Sequence, residues 1–122
     1  MASQTPTRWR MPLNIANALD TELRRARSGE SVEQRWAALE RAHILSQPWP
    51  IPHVRSHAAM IRLAARQRDG RELLGQALRI VVAGPASAVG KYPAGNTGRA
   101  RVPATLPMPI TDDLAHLLEG AP

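Results

Sequence analysis

Two short strings in this chain carry metal-binding residue types at spacings that put them on one helical face. In Glu40-Arg41-Ala42-His43 a carboxylate and an imidazole stand three apart, and in His53-Val54-Arg55-Ser56-His57 two imidazoles stand four apart. On a helix both separations set one side chain above the other. Three of the chain's four histidines thereby fall within fifteen residues. Cysteine is absent, which removes thiolate ligation, disulfides and a thiol nucleophile together, so a metal here takes nitrogen and oxygen donors. Glu-x-x-His is also an element of carboxylate-bridged dimetal bundles, where it occurs twice; this chain has one copy.

The elements that must position these residues read as helices. Leu13, Ile15, Ala16, Leu19, Leu23 and Ala26 recur at helical spacing after Met11-Pro12 and stop at Gly29, which predicts a first helix. Ser31-Val32-Glu33-Gln34 has the form of a capping box and opens a second helix, about 32–47. The run Pro48-Trp49-Pro50-Ile51-Pro52 reads as a stiff corner, because proline lacks the helical donor and disfavours helical geometry in the residue before it. A third helix is expected over about 53–68, a turn at Asp69-Gly70, and a fourth helix over about 71–82. Short connections favour antiparallel neighbours, so the expected fold is all-α, a four-helix bundle of two antiparallel helical hairpins. Residues 84–110 are rich in glycine and proline and read as an irregular wrap, with Val102, Leu106, Met108 and Ile110 turned to one face of the bundle. Thr111 is placed to cap a short terminal helix, about 112–119. Residues 1–10 are expected to be flexible and 11–122 to form one helical metal-binding domain.

Counting depth from the turns tests whether the ligand candidates can meet. With helix ends near Gln47 and His53, His43 and His57 each lie about 6 Å from the corner and should face one another. Glu40 lies about a turn deeper and His53 at the corner itself, so both join only by side-chain reach. Across the other hairpin Glu22 and Glu40 stand about 9 and 12 Å from the Gly29 turn, which makes Glu22 a further candidate. Glu72 opens the fourth helix more than ~15 Å from His57 and is left out of the ligand set. The competing reading makes the histidines hydrogen-bonded core residues and pairs Glu40 with Arg41 or Arg35. The concentration of three histidines and a carboxylate in register favours the metal. His116 reads as structural or exposed, Trp36 and Trp49 as packing around the corner, and Asn96-Thr97-Gly98 as a turn.

Composition narrows the function classes. The net charge is +6 with a pI near 11.4, yet almost all of the positive charge is arginine scattered through every segment, and aromatic residues are only 3%. No stacking platform or nucleic-acid motif is visible, so no nucleic-acid partner is expected. The longest apolar runs, 80–83 among them, are too short for a membrane span, and no secretory signal is visible, which predicts a cytoplasmic protein with no membrane partner.

The strings Leu39-Glu40-Arg41-Ala42-His43-Ile44-Leu45-Ser46-Gln47, His53-Val54-Arg55-Ser56-His57, Leu74-Gly75-Gln76, Gly95-Asn96-Thr97-Gly98 and Pro107-Met108-Pro109-Ile110 resemble the bacterial family known as domain of unknown function 3703. The resemblance covers about residues 20–118. It carries no established activity, and it implies that the Gly95–Gly98 loop belongs to the domain. The expectation from residues and resemblance together is a metal-binding helical protein in which Glu40, His43, His53, His57 and Glu22 supply ligands for iron, copper or zinc. With open coordination positions it would be a small metalloenzyme acting on a small-molecule substrate, of oxidoreductase type if the ion is iron or copper. With a closed sphere it would be a metal-handling or resistance protein. The remaining alternatives are a site completed across a homodimer and a metal-free helical interaction module.

Overall fold

The structure, a computed structural model, describes residues 9–119 and 121; the segment 1–8, most of the stretch expected to be flexible, lies outside the described residues. Five helices follow one another: α1 (Leu13–Ser28), α2 (Val32–Ser46), α3 (Pro50–Arg66), α4 (Gly70–Ala88) and α5 (Asp112–Leu117), with no strand among the described residues. α1 packs on α2, α3 on α4, and α2 on both α3 and α5. The fold is therefore all-α with bundle packing.

The capping box at the start of α2 forms as its sequence dictates. Ser31 accepts from the Gln34 amide at 3.1 Å, and the Gln34 side chain accepts from the Glu30 amide at 2.9 Å, filling two donors that a helix start leaves open. Asp69 does the same for α4, accepting from the Glu72 amide at 3.0 Å. Thr111 occupies the position before α5 but makes no cap; its hydroxyl donates to Asp113 at 2.6 Å.

Two boundaries differ from the sequence expectation. α3 begins at Pro50, so Pro50-Ile51-Pro52 form its first turn after Trp49 in an extended conformation. The first four amides of a helix have no intrahelical acceptor, and prolines there forfeit nothing. α4 runs on to Ala88 through Gly84 and Pro85. The carbonyl that Pro85 leaves without its helical donor belongs to Val81, which is exposed, so solvent can satisfy it. The irregular wrap accordingly begins after Ala88.

Two aliphatic clusters hold the helices. Ile15, Ile44, Leu45 and Trp49 enclose Leu114 of α5, while Trp36, Leu39, Met60, Leu63 and Ala64 join α2 to α3. Between the clusters the α2–α3 crossing is made of small residues, Ala42, Ser46 and Ser56, all fully buried. The Ser46 and Ser56 hydroxyls meet at 2.9 Å. Small side chains bring these helices together and leave the adjoining volume to imidazole rings. The wrap is stitched down mainly by polar bonds. Asn96 donates to the carbonyls of Pro103 and Leu106 at 2.9 and 2.8 Å, and Gln47 accepts from the Gly95 amide and donates to Pro93. Ile110 packs on the first cluster, whereas Leu106 is exposed.

Candidate metal centre

His43, in the last turn of α2, and His53 and His57, in the first turns of α3, converge to a buried three-ring cluster. Nε2 of His43 lies 3.1 Å from Nε2 of His57 and 3.0 Å from Nε2 of His53, and all three rings are at most 5% exposed. His43 and His57 face one another as depth counting requires. His53 joins them because α3 starts three residues before the expected position, which moves His53 from the corner into the helix, one turn above His57.

The opposite edge of each ring is held by a fixed acceptor. His43 Nδ1 stands 2.7 Å from the carbonyl oxygen of Asn96, which can only accept. His53 Nδ1 stands 2.7 Å from the Ser87 hydroxyl, whose single proton goes to the Gln47 carbonyl at 2.6 Å, so the hydroxyl accepts from the ring. His57 Nδ1 stands 2.6 Å from Gln76 Oε1. The Gln76 amide nitrogen donates to Glu72 at 2.9 Å and to the Gly98 carbonyl at 2.7 Å, which fixes the oxygen toward the ring. Each Nδ1 therefore carries the proton, and in the neutral imidazole each Nε2 then presents a lone pair. The lone pair of His43 meets those of His57 and His53 at 3.1 and 3.0 Å, and acceptors cannot hydrogen-bond among themselves.

A proton is a poor answer to that repulsion. Burial, and then the mutual charge of the rings, pushes His43 well below the usual histidine range and His53 down to about 3; burial also lowers His57. Neutral imidazoles with a protonated, anchored Nδ1 are the form in which histidine binds a metal. Two nitrogens about 2.0–2.1 Å from one ion stand about 2.8–3.4 Å apart between right-angle and tetrahedral geometry, a range that includes both separations from His43. The three histidines are the group of donors, among the described residues, that could hold a metal ion.

The two carboxylates expected beside them are engaged elsewhere. Glu40, a turn below His43, is partly exposed and pairs with Arg99 at 3.8 Å; burial outweighs the arginine and raises its pKa. Glu22 is buried and takes Arg25 and Arg41, each at 3.1 Å, locking α1 to α2. Neither belongs to the three-histidine group. Glu72 stands outside that group too, yet it organises the cluster: fully buried, it accepts from Gln76, from Arg99 at 3.1 Å and from the Ala100 amide at 3.0 Å. A carboxylate thus acts on His57 through an amide, and the same carboxylate anchors the wrap.

Gln76, Ser87 and the Asn96 carbonyl escaped sequence reasoning. Ser87 falls in a stretch read as irregular, and a backbone carbonyl leaves no residue-type signal. Gln76 and Asn96 lie within the family-like strings, whose glycines have a spatial reason. Gly98 has φ +83°, and a Cβ there would sit 2.7 Å from the His43 ring; at Gly75 a Cβ would run into Ala100. The wrap lies against the site only because these positions lack side chains.

A cleft of about 290 Å³ opens on the three rings. Leu78, Val82, Ala83, Ala86, Tyr92 and Pro93 form much of its wall, and Arg79 is its one cationic side chain. His116 is exposed and apart from the cluster, beside Glu119 at 3.7 Å. Trp36 donates to Gln67 at 2.8 Å and carries the Arg99 guanidinium on its ring face, and Trp49 is buried in the first cluster.

The fold and the site define a helical bundle built around a buried three-histidine cluster. The chain belongs to the family described as Protein of unknown function (DUF3703), which matches residues 13–118. No curated protein and no solved structure matches it. No helix among the described residues is long and apolar enough to cross a membrane.

Proposed function

We propose that this protein binds one divalent transition-metal ion through Nε2 of His43, His53 and His57 and acts as a small metalloenzyme on a substrate admitted by the adjoining cleft. The observation that carries the reading is the convergence of three buried Nε2 lone pairs, each fixed in that tautomer by its own acceptor on Nδ1. Without a cation the arrangement places three acceptors against one another in a desolvated site, which is costly. A metal-free interaction module offers no reason for it.

An enzyme is favoured over a closed metal-handling site by the ligand count. Among the described residues no fourth histidine or carboxylate joins the group, and the cleft reaches the same three rings. Three protein donors with a position left to water or substrate is the pattern of catalytic centres. Imidazole-only ligation suits zinc, copper or iron. A bound ion would supply Lewis acidity, and redox chemistry if it is iron or copper.

The test is reconstitution of untagged protein with zinc, copper(II) or iron(II), followed by desalting and elemental analysis. One ion per chain is expected for the wild type and none for the His43→Ala/His57→Ala variant, with circular dichroism to confirm that the variant is folded. Wild-type protein that retains no metal under any of the three conditions refutes the proposal.

A further inference from the structure

The cleft beside the histidines has an unusual charge balance. Its lining includes His43, His53 and His57 and the guanidinium of Arg79, and no aspartate or glutamate. Arg79 is held between the wrap and its own helix, donating to the Val102 carbonyl at 2.8 Å and to the Gly75 carbonyl of α4 at 3.4 Å. Among the described residues no carboxylate forms an ion pair with it. Burial works against its charge and Glu72, from farther off, supports it. A dication held by three neutral imidazoles would add two positive charges beside this one. In a partly desolvated site such an excess demands an anion, and the chain supplies none within the cleft.

The remaining wall says what the anion is attached to. Leu78 and Val82 on α4 are 63% and 61% exposed, with Ala83, Ala86 and Pro93 completing an apolar surface. At about 290 Å³ the space lies at the lower edge of small-molecule sites, roughly 300–1,000 Å³. Inorganic anions would leave that apolar surface uncovered, and neutral or cationic molecules would leave the charge uncompensated.

Resting on the metal reading above, we propose that the cleft takes a small organic carboxylate, its head between the metal centre and Arg79 and its hydrocarbon body along Leu78 and Val82. Arg79 is then the residue that selects for the anion. Both ends of such a ligand are met at once: the head by fixed positive charge, the body by apolar surface that gains about 25 cal/mol per Å² covered.

Cobalt(II)-loaded protein gives a test that separates this inference from the metal reading. Cobalt stoichiometry is measured first, and the visible spectrum is then followed while benzoate, acetate, benzamide or inorganic phosphate is added. Benzoate should perturb the spectrum and bind at least tenfold more tightly than acetate or phosphate, with benzamide inert. Arg79→Gln should weaken benzoate at least tenfold with cobalt stoichiometry and circular dichroism unchanged, and Arg79→Lys should recover part of the loss. One cobalt per chain with benzoate no tighter than acetate, with phosphate preferred, or with Arg79→Gln indifferent, overturns the carboxylate assignment alone. Failure to bind cobalt, zinc, copper or iron overturns the metal reading and this inference with it.

Discussion

Two of the clefts in this bundle are close in size and built on opposite principles. The first, about 290 Å³, opens on the three histidines; the second, about 260 Å³, lies where α1, α2 and α3 meet and is lined by Arg27, Arg35, Arg55, Arg62 and Arg66 over an aliphatic floor. In the histidine cleft each ring is buried and has one assigned partner on Nδ1. In the arginine groove four of the five guanidinium-bearing side chains are exposed, and Arg35 is held by a bond to the Gly29 carbonyl at 2.8 Å. Desolvation makes the difference. A buried polar atom must be paired, so its neighbours fix its protonation and direction. An exposed cation keeps its water and its rotamers.

The comparison breaks first, and most visibly, under acid. Histidines whose folded pKa is depressed, His53 to about 3, stay neutral in the native state while the unfolded chain takes up protons below about 6.5. Stability of the metal-free protein is therefore full above that pH and is lost as pH falls through it, by about 1.4 kcal/mol per histidine per pH unit. Thermal melts of metal-free protein at pH 7.5 and 5 check the claim, and equal melting temperatures would contradict it.

Gly98→Ala should come next. The new methyl group meets the His43 ring and the residue must hold φ +83°, costs of about 1–3 kcal/mol each. Denaturant unfolding should show a loss of at least ~2 kcal/mol together with weakened metal binding; a neutral effect would mean that the wrap does not press on the ring. Gln76→Leu keeps the volume but removes the acceptor on His57 and the bridge to Glu72. Competitive metal titration should find affinity lower by about 10–100-fold, and an unchanged affinity would show that His57 needs no orienting partner. The smallest effect belongs to the other cleft: Arg62→Gln/Arg66→Gln should alter stability by no more than about 0.5 kcal/mol and leave metal stoichiometry intact. Loss of metal in that variant would erase the contrast between the two regions.

Much of the fold was legible locally. Periodic apolar residues marked α1 to α3, Ser31 and Gln34 announced a helix start that formed as written, and Gly29 marked the α1–α2 turn. The two boundaries that differ from expectation have one cause: proline breaks a helix only where its missing donor is needed. At Pro50 and Pro52 the donor is superfluous, and at Pro85 the orphaned carbonyl belongs to an exposed residue. The first expected boundary put His53 at the corner, able to join the other histidines only by side-chain reach, and the second hid Ser87, which sits on the extended end of α4. Likewise, arginines scattered along the chain are not scattered in space, since five of them gather at one groove.

By itself the sequence determined the donor chemistry and the helical register: no thiolate, three histidines at helical spacings, and His43 opposite His57 across a short corner. Those follow from residue type and from the fixed rise and period of the helix. Only the tertiary structure decided which carboxylates stand apart and which ring nitrogens face inward. Glu22 and Glu40 meet arginines instead of the cluster, and Gln76, Ser87 and the Asn96 carbonyl come from 19, 34 and 53 residues away to set the three tautomers. Such long-range hydrogen bonds depend on how helices and wrap pack together, and no local pattern encodes them.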